Sequence, residues 1–96
     1  MKLIFHPAAE DELIAAVDWY EQRQSGLGFD LAIEVRAAIE LAQGLPEAWS
    51  EIAPGIRRVL TQRFPYGVLY SVDGNILFVL AVMHLSQRPG YWKNRV

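Results

Sequence analysis

Apolar residues follow two different rhythms along this 96-residue chain, and the change of rhythm divides it in two. In the first half they recur every three or four positions. Ala9, Leu13, Ala16, Val17 and Tyr20 form one set, and Ala32, Val35, Ile39 and Ala42 form another. That spacing places each set on a single stripe of a helix. From Ile56 onward apolar residues alternate with polar ones or run together, as strands do. Ahead of the helices, Lys2 to Phe5 is short, apolar and β-compatible, and predicts an opening strand.

Residues that start and stop elements sharpen these limits. Pro7 suits a first helical turn, where its missing N–H costs nothing. Glu10, Asp11 and Glu12 follow, where negative charge favours the helix dipole. The first helix is expected to stop near Ser25-Gly26, with Gly26 or Gly28 as the break. A second should run from about Phe29 to Gln43, ended by Gly44 and Pro46. Two helices joined by a short glycine-containing loop make an antiparallel hairpin.

In the second half, Ile56 to Phe64 alternates imperfectly, with Ile56, Leu60 and Phe64 on one side and Arg57, Thr61 and Arg63 on the other. Pro65 interrupts, since it cannot donate to a ladder. Tyr66 to Val72 predicts a strand, Asp73-Gly74 a two-residue hairpin turn, and Ile76 to His84 a central strand apolar on both faces. The expected fold is one α+β domain over residues 1–96: a strand, a helical hairpin, then a three-stranded antiparallel meander. The helices would pack on one face of a small, mainly antiparallel sheet. The Asp-Gly loop pairs Val72 with Asn75, and hence Tyr66 with Ala81. Strand direction then lets Arg63, Tyr66, His84 and Arg88 converge at one end of the sheet.

Composition narrows the function classes. Hydrophobic residues make up 52% of the chain, too many for a disordered protein. Cysteine is absent, which excludes disulfides, thiolate metal sites and a cysteine nucleophile. The N-terminal stretch MKLIFHPAAEDE turns acidic too early for a signal peptide. The longest apolar run, Ile76 to Met83, is far too short to span a bilayer, so a cytoplasmic protein without a membrane partner is expected. Charge is unevenly spread. Residues 1–51 carry ten acidic and three basic residues (−7), and residues 52–96 carry one acidic and six basic (+5). Either one surface meets an anionic partner, or the two halves neutralise each other within the fold.

Candidate chemistry gathers in the basic half. His84 can move a proton near neutral pH, although a histidine ending a buried strand would look the same. Arg57, Arg58 and Arg63, then Arg88, Lys93 and Arg95, form a basic series interleaved with Tyr66, Tyr91 and Trp92. Guanidinium groups grip phosphates and aromatic rings stack on bases, so Arg57, Tyr66, Tyr91, Trp92, Lys93 and Arg95 are candidates for binding a partner or nucleic acid. The structural alternative is plain: Tyr91 and Trp92 strap the core, and the arginines pair with helix acids. Arg58 falls on the apolar side of its strand, which suits a structural salt bridge. Two histidines without a matching Asp/Glu spacing give no metal site, and no phosphate-binding loop or nucleophile elbow is present. No cofactor is expected.

Four segments, FHPAAEDEL, WYEQRQSGLGFD, RRVLTQRFPYGVLYSV and ILFVLAVMHLSQRPGYW, closely resemble in this order the RelE/ParE superfamily of toxins from type II toxin-antitoxin systems. The resemblance covers nearly the whole chain. The Arg-Phe-Pro-Tyr segment and the His…Arg-Pro…Tyr-Trp ending look like the group called plasmid stabilisation proteins. The resemblance implies a growth inhibitor neutralised by a cognate antitoxin protein. RelE-like members cleave mRNA on the ribosome, and ParE-like members inhibit DNA gyrase. In ribonuclease members a basic residue commonly precedes the aliphatic-aliphatic-Tyr segment, whereas here Gly67 precedes Val68, Leu69 and Tyr70. That residue would stabilise the phosphorane of RNA cleavage. Its absence favours a ParE-like gyrase inhibitor. The alternatives are a RelE-like endoribonuclease, with His84 as proton carrier and Arg63 and Arg88 neutralising phosphate, and an inactive antitoxin-binding domain.

Overall fold

The computed structural model describes residues 1–96. Strand β1 (Lys2–Phe5) leads into helices α1 (Pro7–Arg23) and α2 (Leu27–Gly44). Four strands follow: β2 (Glu51–Ala53), β3 (Ile56–Leu60), β4 (Tyr66–Asp73) and β5 (Ile76–His84), then a 3-10 turn over Lys93–Arg95. The sheet order is β1-β5-β4-β3-β2, with β1 parallel to β5 and every other pair antiparallel. The α+β reading holds, and the meander gains a strand. β2 carries no alternating pattern, because Ile52 is exposed and the strand is only three residues long. It forms through its hairpin: Gly55 takes a left-handed φ of 76°, and its N–H donates to Glu51 Oε1 at 2.9 Å.

Helix packing turns on one close approach. α1 ends at Arg23, two residues before the expected stop, and the Glu21 carboxylate accepts the N–H groups of Gly26 (2.8 Å) and Gly28 (3.0 Å). That caps the start of α2, two residues earlier than its pattern suggested. Gly28 is buried against α1, where a Cβ would run into the Val17 carbonyl oxygen. β3 stops at Leu60, short of the expected Phe64. The Thr61 hydroxyl donates to the Phe64 carbonyl at 2.6 Å and turns the chain, dropping Phe64 into the core and leaving Leu60 exposed.

The strand register corrects the expected pairing. The hairpin loop is Gly74-Asn75, so Asp73 pairs with Ile76, one position later than an Asp-Gly loop would give. A bulge then inserts Leu80 opposite the step from Leu69 to Tyr70. Tyr66 consequently pairs with His84, not Ala81. The bulge also resets the faces. Leu77, Val79 and Val82 join the core beneath the helices, with Val35, Leu31 and Tyr70. Leu80, Ala81 and Met83 join a smaller cluster on the far face, closed by Trp92 at 5% exposure. A continuous alternation would have turned Val82 away from the helices.

Candidate partner-binding site

The register places His84 directly across from Tyr66, their rings edge to face at 5.1 Å. Tyr66 in turn meets Tyr20 of α1, and Tyr20 meets Trp19 at 4.9 Å. These rings, with Tyr91 from the tail, wall an open cavity of about 410 Å³ over Ala15, Ala16 and Val82. The sequence pointed to His84, Tyr66 and Tyr91. Trp19 and Tyr20, adjacent on α1, join them only because the fold sets α1 against the end of β5, which nothing local in the sequence places. A larger cleft of about 580 Å³ lies at the opposite end of β4, around Tyr70, Ser71 and Val72. Its main polar groups are already occupied. The Arg57 guanidinium donates to the carbonyls of Trp49 (2.6 Å) and Glu47 (3.3 Å), and the Tyr70 hydroxyl donates to Pro46 (2.6 Å).

The wall beside Tyr91 is built by a residue read from sequence only as a helix-dipole acid. β1 pairs with β5 only over Ile76–Val79, so the rest of that edge has no strand beside it. Glu12 Oε1 accepts the Val82 N–H at 3.1 Å there. Arg95 grips the same carboxylate with two bonds, at 2.8 and 3.0 Å, and donates to the Leu80 carbonyl at 3.2 Å. The Tyr91 hydroxyl adds a fourth donor to Glu12, at 2.6 Å. Burial and then the hydrogen bond to Glu12 push the Tyr91 hydroxyl well above its ordinary pKa, so it stays protonated as the donor. Tyr66 is also shifted upward, by burial and by Tyr20. The ends of this knot are 79 and 83 residues apart in sequence, so no local spacing reveals it.

His84 accepts at Nδ1 from the Ser86 N–H (3.1 Å) and lies 2.7 Å from the Ser86 hydroxyl. With Nδ1 accepting, a neutral ring carries its proton on Nε2. Of the two arginines expected beside it, one is held elsewhere. Arg63 turns to α2, where it meets Asp30 at 3.1 Å and Glu34 at 3.5 Å. Glu34 also accepts the N–H groups of Gln62 and Arg63, fixing that loop. Arg88 is exposed in the turn after β5, without an ion pair. Arg95 is neutralised by Glu12, Arg57 is held by carbonyls, and Trp92 is in the core, so none of the three is free for an incoming anion or base. Lys93 stays exposed on the tail. Arg58 makes no salt bridge. Its stem lies over Gly67, where a Cβ would come within 3.0 Å of Arg58 Cδ.

The arrangement is an aromatic pocket with one internally neutralised ion pair, a histidine at its rim and free cations further along the tail. It suits holding a partner's side chain better than gathering charge on a phosphate. No group of three or more His, Asp or Glu is placed to hold a metal ion, and no helix is long and apolar enough to cross a membrane. The family model of the ParE toxin of type II toxin-antitoxin systems, parDE, matches residues 3–89. Among solved structures, one described as a chromosomal ParDE toxin-antitoxin system from P. aeruginosa is similar at a TM-score of 0.74 and 19% identity. The match covers 90% of this chain and 97% of that one. No curated protein matches by sequence.

Proposed function

The chain belongs to the ParE toxin family of type II toxin-antitoxin systems, and on that footing we propose that it inhibits DNA gyrase in the cytoplasm until a cognate antitoxin covers it. The observation that carries the choice of gyrase over mRNA is the dispersal of the cations. RNA cleavage needs positive charge around the reacting phosphate. Arg63 is spent on α2, Arg95 on Glu12, and position 67 is a glycine beneath the stem of Arg58. What remains is a surface for binding: four aromatic rings, His84 and the exposed Arg88 and Lys93. Aromatic and arginine side chains are the groups that anchor protein interfaces.

The ribonuclease reading keeps one observation in its favour, His84 at the rim of a pocket large enough for a nucleobase. One experiment separates the two. The purified chain is assayed for inhibition of gyrase supercoiling and for cleavage of ribosome-bound mRNA, alone and with His84→Ala. Blocked supercoiling with intact mRNA supports the proposal. Ribosome-dependent cleavage that His84→Ala reduces by roughly 100- to 10,000-fold, the usual loss for a general acid or base, overturns it. Expression that leaves growth unimpaired while the chain accumulates in soluble form would instead identify an inactive antitoxin-binding domain. Growth arrest relieved by co-expressing the adjacent gene is the expected outcome.

A further inference from the structure

Ile76 to Met83 is the longest apolar run of the chain, eight residues without a charge, a proline or a glycine. Such a segment pairs readily with another strand wherever its edge is free. The run lies in β5, which at nine residues is also the longest strand. β4 covers one edge of β5 along its length, but β1 covers the other only from Ile76 to Val79. From Leu80 to His84 that edge has no strand beside it.

Sheets blunt a free edge in a few ways: by keeping the edge strand short, by placing lysine or proline there, or by pointing a charged side chain inward at it. The two outermost strands use the first two. β1 has four residues and opens with Lys2, and β2 has three and is followed by Pro54. Neither device is open to β5, whose side chains fill the core on both faces of the sheet. The free half of its edge carries the third. The Glu12 carboxylate points in from α1 and accepts the Val82 N–H at 3.1 Å. The Arg95 guanidinium comes in from the tail and donates to the Leu80 carbonyl at 3.2 Å. One acceptor and one donor thus stand where an incoming strand would bring its own. The two side chains also hold each other, at 2.8 and 3.0 Å, so they bring no net charge to a largely buried place. Replacing a buried ion pair by apolar residues of similar volume is often neutral or stabilising, so stability alone does not account for charges at this edge.

We propose that Glu12 and Arg95 form an edge guard, which keeps the free half of β5 from pairing strand to strand with the same edge of a second copy. Two copies meeting antiparallel there would continue the sheet across a two-fold axis. A strand entering at Val82 has first to displace both side chains. The guard acts within the folded chain and does not depend on which target the toxin has.

Glu12→Met with Arg95→Met removes the guard and leaves neither charge unpaired. Sedimentation velocity follows this double variant, wild type, Glu12→Gln and Val35→Ala over roughly a hundred-fold range of micromolar concentration. Val35→Ala is a core truncation on α2 that destabilises the chain without altering the guard. All are compared where urea denaturation shows each to be folded. The average mass of the double variant should at least double as concentration rises, and hydrogen exchange should show the Val82 amide better protected in the associated form than in the monomer. Wild type and Val35→Ala should stay monomeric throughout. So should Glu12→Gln, whose amide oxygen can still accept the Val82 N–H. A double variant that stays monomeric while folded overturns the proposal, as does a wild type that associates. Association of Val35→Ala to the same degree overturns it by assigning the effect to lost stability. Association without added protection at Val82 overturns it by assigning the effect to the new methionines.

Discussion

Two arginines in this protein are held by helix carboxylates, and their settings differ sharply. Arg95 and Glu12 are 13% and 21% exposed in their side chains, and Glu12 also serves Val82 and Tyr91. Arg63 and Asp30 are 59% and 48% exposed at a similar distance of 3.1 Å. The chemistry is the same and the lengths are nearly so. What separates them is water. At the surface solvent screens the pair and competes for its donors, so its net worth is small. In the knot, each group lost would leave others buried without a partner. The knot ties the tail along the open edge of β5. The Arg63 cluster only steadies a loop.

The largest effect should come from the apolar anchor that the knot helps hold. Trp92→Ala should lower unfolding free energy by about 3–4 kcal/mol, read from a urea denaturation midpoint. An unchanged midpoint would mean the tail does not close the far face. Glu12→Ala should cost about 3 kcal/mol, because it strands Arg95, the Tyr91 hydroxyl and the Val82 N–H together. If knot and ring act as one strap, the double variant loses less than the two single losses added; full additivity would separate them.

Tyr91→Phe is the next step down, about 1 kcal/mol at neutral pH for one hydrogen bond to a carboxylate. It also carries a pH signature. A tyrosine in the unfolded chain ionises near 10.0, and Tyr91 in the folded chain ionises higher. Its contribution is therefore complete below that pH and declines as pH rises past it, because the unfolded state loses its proton first. Stability measured from pH 9 upward should fall, with a shallower slope in Tyr91→Phe. The slope should not vanish, since Tyr66 and Tyr70 are shifted in the same direction by burial. Arg63→Ala should cost the least, about 1 kcal/mol or below, and the difference should shrink in high salt. A loss as large as that of Glu12→Ala would erase the contrast between the two clusters.

Much of the fold was legible in the chain because periodicity is a local property. The stripes of α1 and α2 and the apolar run of β5 each announce their element within a dozen residues. β2 escaped because three residues with an exposed Ile52 give no period. The end of β3 escaped because Thr61 competes for the backbone through its hydroxyl. The candidate site was legible in part. His84, Tyr66 and Tyr91 do share a cavity, while Trp19 and Tyr20 join it from a helix whose packing the sequence does not state.

Residue types and spacing determined the two helices and the antiparallel meander. They do so because each depends on neighbours a few positions away. Tertiary structure alone decided the bulge at Leu80, which sets which side chains of β5 face the helices and brings His84 opposite Tyr66. It alone decided where each arginine's charge is spent, since a guanidinium pairs with whichever carboxylate the fold sets beside it. For Arg95 that partner is Glu12, 83 residues away, and for Arg63 it is α2. Such pairings are settled by the meeting of distant surfaces, and no local pattern encodes them.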